Sequence, residues 1–170
     1  MVTEIPMDED VQQLLEPKLP DWLPVVDESK EVVISRRIFD RLSIPRIERL
    51  HPNSLNPSLA ERGAQEMEVI CGMYSAEPRN LRLFQAGTHM PWHTNSDVPG
   101  TRIYFVYNEE PGSAFKYRDP DTGRIETIEE PVGWSAKQFV IPEQGFLWHA
   151  VFAAGIRLCV GLLVPEEDAP

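Results

Sequence analysis

The chain has only two cysteines in 170 residues, Cys71 and Cys159. No close Cys–Cys or Cys–His spacing accompanies them, so neither a zinc site nor a disulfide framework is indicated, and a reduced, cytoplasmic setting is expected. Basic residues are also scarce: 16 Lys and Arg stand against 27 Asp and Glu, a net charge of −11. Duplex nucleic acid is held by clustered cations, so this balance argues against a dedicated nucleic-acid binder. Solubility is the plainer use of the charge. The start, Met1-Val2-Thr3-Glu4-Ile5-Pro6, lacks the basic-then-apolar pattern of a secretory leader. One long apolar run exists, from Phe146 to Val164, but His149 and Arg157 interrupt it and Ala154-Gly155 reads as a turn. Two buried strands are expected there rather than a membrane span. Internal repeats and low-complexity segments are missing too. What remains, 42% apolar and 25% charged residues, is ordinary for one soluble globular domain with a real core.

The chain divides by texture. Residues 1–78 read as a helical and irregular support region. Pro17, Pro20 and Pro24 follow a short helix-like piece at Asp10–Glu16 and forbid a long helix. Val32-Val33-Ile34 suggests a strand, and Ile38, Phe39 and Leu42 a helix face. Asn56-Pro57 resembles an N-cap with Pro at the first helical position. Leu59, Gly63, Met67, Ile70, Cys71 and Tyr74 then keep helical spacing, which predicts a helix over 57–74. Residues 79–165 switch to short alternating runs separated by turns. Strands are predicted at Leu81–Ala86, His89–His93, Arg102–Asn108, Ser113–Arg118, Arg124–Ile128, Ala136–Ile141, Phe146–Phe152 and Ile156–Val164. Asp119-Pro120-Asp121-Thr122-Gly123 supplies a hairpin turn. Eight strands in so short a stretch predict a mainly β jelly roll or barrel, with the N-terminal helices on one face. Residues 166–170 form an acidic tail.

Two histidines and an arginine carry the chemical signal. His93 lies in Pro91-Trp92-His93-Thr94-Asn95-Ser96-Asp97, His149 in Phe146-Leu147-Trp148-His149-Ala150-Val151, and Arg157 follows in an apolar strand. An early His near a carboxylate or amide, a distant His, then an Arg is the linear trace of a two-His, one-carboxylate iron site. An Arg beyond the second His can pair with a carboxylate in fork geometry. Alternation puts Arg157, Cys159 and Gly161 on one strand face, with Ile156, Leu158 and Val160 on the other. Arg102 and Tyr104 alternate with Ile103 and Phe105, so both can face one cavity and bind cosubstrate or substrate there, or form a solvated face. Trp92 and Trp148 flank the histidines as pocket walls or as core; Trp134 reads as core, and His51 as surface. A single His beside Trp is more often a packed core residue than a ligand, and an ion pair within the sandwich is the plain alternative for Arg157.

The region Leu81–Val164 resembles the double-stranded β-helix core of the 2-oxoglutarate/Fe(II)-dependent oxygenases. The resemblance rests on Leu83-Phe84-Gln85-Ala86-Gly87, His93-Thr94-Asn95, Ile103-Tyr104-Phe105-Val106-Tyr107-Asn108, Gly112-Ser113-Ala114-Phe115-Lys116-Tyr117, Pro142-Glu143-Gln144-Gly145, His149 and Arg157. Trp92-His93-Thr94-Asn95-Ser96 with Pro99-Gly100 and Arg102-Ile103-Tyr104 also looks like small uncharacterised phage-type proteins. The resemblance implies Fe(II) held by His93 and His149, with 2-oxoglutarate as a small-molecule cosubstrate on Arg157 and the substrate unspecified. The family's carboxylate position falls on Asn95, a neutral amide, with Asp97 two residues on as the alternative third ligand. Gly87-Thr88-His89 and Pro142-x-x-Gly145-x-x-x-His149 faintly resemble cupin motifs. A cupin-like metal protein, or a non-catalytic β-sandwich with a decayed metal site, is therefore the competing expectation.

Overall fold

A computed structural model describes residues 2–24, 34–42, 57–94, 98–141, 143 and 146–165. Nine strands are described: β1 (Val2–Ile5), β2 (Glu77–Phe84), β3 (His89–His93), β4 (Gly100–Asn108), β5 (Ala114–Arg118), β6 (Ile125–Glu129), β7 (Gly133–Ile141), β8 (His149–Phe152) and β9 (Arg157–Val164). They form two antiparallel sheets, ordered β1-β7-β4-β9-β2 and β3-β8-β5-β6. From β2 onward the chain passes back and forth between the two sheets, and this strand order is a jelly roll, one of the two architectures that the density of strands predicts and the one that the family resemblance implies.

Period-two alternation assigns the faces. On the five-stranded sheet, Leu81, Leu83, Ile103, Phe105, Ala136, Leu158, Val160 and Leu162 point outward into a core with the helices. That layer comprises α1 (Glu9–Leu15), a 3-10 turn (Glu16–Lys18), α2 (Leu19–Trp22), α4 (Pro57–Arg62) and α5 (Ala64–Tyr74). The side chains of Val11, Leu15, Trp22, Leu59 and Ile70 are almost wholly buried there; each such side chain stabilises by about 1.5–3 kcal/mol. Asp8 caps α1, its carboxylate accepting from the amides of Asp10 and Val11. The Tyr74 hydroxyl donates to the other Asp8 oxygen at 2.6 Å, tying α1 to the end of α5.

The opposite sheet carries a second outer cluster. Trp92, Ala114, Trp148, Ala150 and Phe152 pack with Phe39 of α3 (Arg36–Phe39). Lys116 pins α3 by donating to the carbonyls of Phe39 and Asp40. The two tryptophans therefore pack on the outer face of the four-stranded sheet rather than walling the interior.

Two expectations shift. The single helix over 57–74 is two helices meeting at Gly63, where Leu81 lies 2.7 Å from the place a Cβ would stand and Trp22 3.1 Å. A residue with a side chain could not pass so close to β2 there. The N-terminal residues also supply a strand: β1 pairs antiparallel with β7, Val2 opposite Phe139 and Ile5 opposite Ala136. Val32-Val33, His51 and the Asn56 cap lie outside the described residues. Trp134 is half-buried, against Tyr107. Among the described residues no helix is long and apolar enough to cross a membrane.

Candidate metal centre

The space between the sheets is where the chemistry-bearing side chains meet. β3 and β8 run antiparallel, with Met90 opposite Val151 and His93 opposite His149. Three residues of β3 thus span the distance that two residues of β8 span. This bulge in register lets Met90 and His93 both face inward while Trp92 turns out. The two imidazoles lie 4.1 Å apart between ring centroids, at 55°. Phe115 stacks on the far side of His149 at 5.3 Å and 22°, and Phe139 approaches it at 5.9 Å. His93 is 3% exposed and His149 1%.

Each imidazole is oriented the same way by its own strand. Nδ1 of His93 lies 2.7 Å from the Pro91 carbonyl oxygen, and Nδ1 of His149 lies 3.0 Å from that of Leu147. A carbonyl oxygen only accepts, so both Nδ1 atoms donate. In the neutral ring this places the lone pair on Nε2, the nitrogen that then coordinates metal. A backbone hydrogen bond on the remote nitrogen is also what orients a ligating histidine and raises its basicity. Two imidazoles in one tautomer, side by side in a dry interior, fit a divalent metal.

Asn95 and Asp97, the alternatives for a third ligand, lie outside the described residues. Among the described residues no group of three His, Cys, Asp or Glu side chains could hold a metal. His89 is opposite Phe152 and shares its outward face. It does not join the histidine pair.

Across the interior lies a buried ion cluster. Arg157 points inward, as alternation predicts, and its fork is engaged from within the protein. Nε donates to Glu130 Oε2 at 2.7 Å and Nη2 to Oε1 at 2.9 Å. Lys137 pairs with the same carboxylate, and all three side chains are at most 2% exposed. Burial alone would push the Glu130 carboxyl up; Arg157 and then Lys137 outweigh it and hold it down at about 2. Burial pulls Arg157 down, and Glu130 outweighs that and raises it. Lys137 goes the other way: burial, with Arg157 beside it, outweighs Glu130 and lowers it. The cluster abuts aromatic faces, Lys137 over Phe115 at 4.8 Å and Arg157 over Phe84 at 5.0 Å. Phe115 thus separates it from His149.

Arg102 and Tyr104 also face the interior. Tyr104 meets Phe139 edge-on at 5.1 Å, and its ring lies over Gly161, where a Cβ would come within 2.8 Å of it. Arg102 is 1% exposed, and its Nη2 donates to the Val98 carbonyl at 2.8 Å. Residue spacing singled out neither Glu130 nor Lys137. Lys137 did leave a trace, since it alternates in step with the inward Phe139. Glu130 left none beside the exposed Glu129.

No known protein family matches the chain, and no curated protein matches it. Among solved structures it is similar to a prolyl-4-hydroxylase from Pseudomonas putida, with 16% identity and a TM-score of 0.48, over 99% of this chain and 88% of that one. It is also similar to a carbohydrate-binding module from a Cellvibrio mixtus lichenase, with 13% identity and a TM-score of 0.27, over 53% of this chain and 91% of that one. At such values the likenesses carry no argument about function; the class the molecule defines is that of a jelly roll, by its own strand order.

Proposed function

We propose that this protein is a non-haem Fe(II) oxygenase of the jelly-roll type. The observation that carries the reading is the convergence of His93 and His149 on the interior, both with Nδ1 committed to a backbone carbonyl. His93 and His149 would hold the metal, with the Asn95–Asp97 segment as the nearest source in sequence of a third oxygen ligand. Bound iron would supply the activation of dioxygen. The protein's own part is position and dryness. β3 and β8 fix the two imidazoles in register, Phe115 and Phe139 close the floor, and the buried setting keeps bulk water out.

The fit of 2-oxoglutarate is different. The resemblance puts its distal carboxylate on Arg157, yet two nitrogens of that guanidinium already hold Glu130. A ligand carboxylate there would have to displace an internal one that Lys137 also grips. The residues present do not fit a cosubstrate anchored at Arg157. This observation favours, as a second reading, a jelly-roll metal protein that works without such a cosubstrate.

The test is metal binding to anaerobically purified protein, followed by calorimetry and by Mn(II) resonance. The wild type should take up one Fe(II) or Mn(II) per chain. His93→Ala and His149→Ala should each lose that metal while the far-ultraviolet spectrum and melting temperature stay near wild type. Wild-type protein that binds no metal, or an alanine pair that keeps it, sinks the proposal.

A further inference from the structure

We propose that Arg102, not Arg157, anchors the carboxylate of a small anionic ligand beside the histidine pair. The placement of that ligand next to a metal rests on the reading above; the anchor itself does not.

The two guanidiniums are equally buried but oppositely served. Arg157 has a carboxylate in bidentate contact. Arg102 has a single neutral acceptor, the Val98 carbonyl, and its Nη1 is buried with no hydrogen-bond partner among the described residues. A guanidinium cannot shed its proton to escape this situation. Keeping such a cation in the interior is costly unless an anion arrives to meet it. The electrostatic contrast agrees. Burial, with Arg79 nearby, lowers Arg102 below its ordinary value against the weaker opposing pull of Tyr104 and Glu77, whereas at Arg157 burial is outweighed by Glu130, which lifts it. Charge balance points the same way. Arg102, Lys137 and Arg157 face inward from the five-stranded sheet, and Glu130, the buried carboxylate that meets them among the described residues, is taken by Lys137 and Arg157.

Position makes the site useful. Arg102 stands opposite Phe139 across the β4/β7 ladder. The Phe139 ring touches both Tyr104 and His149. The Arg102 position on β4 is therefore separated from His149 by one inward-facing neighbour, Phe139. Its nearest anchor on the backbone is Val98, the first described residue after the Asn95–Asp97 segment. The ligand class is a short mono- or dicarboxylate, with one end on the guanidinium fork and the rest directed toward the histidines.

Succinate, a carboxylate probe that needs no metal, is titrated calorimetrically into protein kept in chelator, with uncharged succinamide as control. The proteins are wild type, Arg102→Met, Arg102→Lys, Glu130→Gln and the Glu130→Gln/Arg102→Met double variant. Wild type should bind succinate and not succinamide, and Arg102→Met should weaken succinate at least about tenfold, as loss of a charge-assisted hydrogen bond does. Arg102→Lys should fall between. Without ligand, Arg102→Met should melt at or above the wild-type temperature, since it removes a buried, unmet charge. Mn(II) affinity should not change. Unaltered succinate affinity in Arg102→Met overturns the proposal. So does a Met variant that melts well below wild type, which would make Arg102 a strut for the Val98 turn. Affinity that Arg102→Met leaves unaltered, and that Glu130→Gln raises with or without Arg102, returns the anchor to Arg157. Succinate binding that depends on Arg102 in a protein that takes up no Mn(II) would end the metal reading and leave this one standing.

Discussion

Replacing Glu130 by Gln removes one charge from a cluster of three and leaves the volume unchanged. In the folded protein the Glu130 carboxyl is held at about 2 against an ordinary 4.5. At about 1.36 kcal/mol per tenfold in proton affinity, the charged form contributes about 3 kcal/mol at neutral pH. Its folded-state value is depressed, so this contribution is complete above the unfolded value. It is lost as pH falls from about 4.5 through about 2. In the Gln variant the same loss should appear at pH 7. Lys137, already lowered by burial, can then give up its proton, but Arg157 cannot. One stranded guanidinium costs an amount in the same range as the loss of one partner from any buried pair, about 3–5 kcal/mol. Against a total of about 5–15 kcal/mol the loss is large. For a chain of this size it corresponds to a drop in melting temperature of about 6–20 °C. Urea unfolding at pH 7 and pH 3 measures it. Glu130→Gln should fall well below wild type at pH 7, and the two should converge at acid pH. Adding Lys137→Met to Glu130→Gln should cost little more, because the two sites are coupled. Replacing all three by apolar residues of similar size should restore most of the stability. A Gln variant within about 1 kcal/mol of wild type at pH 7 would refute the cluster as described.

Gly161→Ala should destabilise by about 1–3 kcal/mol in urea unfolding, since its Cβ would meet Asn80 and Tyr104 at 2.8 Å; an unchanged midpoint would show that β9 has room there. Asp8→Ala removes the α1 cap and the acceptor of the Tyr74 hydroxyl together. It should cost about 1 kcal/mol or somewhat more, while Tyr74→Phe should cost less, read from the same curves. Metal uptake should be untouched in both, because neither residue reaches the interior between the sheets.

Alternation made the eight strands of the jelly roll legible, because each has one face on an apolar core. It also put Arg157 and Tyr104 on the correct faces, and the distant pair His93 and His149 came together as their spacing implied. Other features left no local mark. β1 is four residues ending at a proline, and its partner β7 is more than a hundred residues away, so only tertiary pairing makes it a strand. Gly63 is required by Leu81 and Trp22, contacts that helical periodicity does not encode. Glu130 is the most consequential omission. It and Glu129 are identical neighbours before Pro131, yet one is solvent-facing and the other closes the fork of Arg157. Which carboxylate is buried is decided by where β6 ends and β7 begins, not by residue type.

The extra residue in β3 has a consequence for what this pocket can tolerate. Met90 and His93 face inward opposite Val151 and His149, with two residues between them where β8 has one. Losing either Pro91 or Trp92 would restore plain alternation and leave His93 inward, still opposite His149. The bulge is thus a place where a codon can be lost without moving either imidazole off the interior face, whereas a slip of the whole strand by one residue would turn His93 outward.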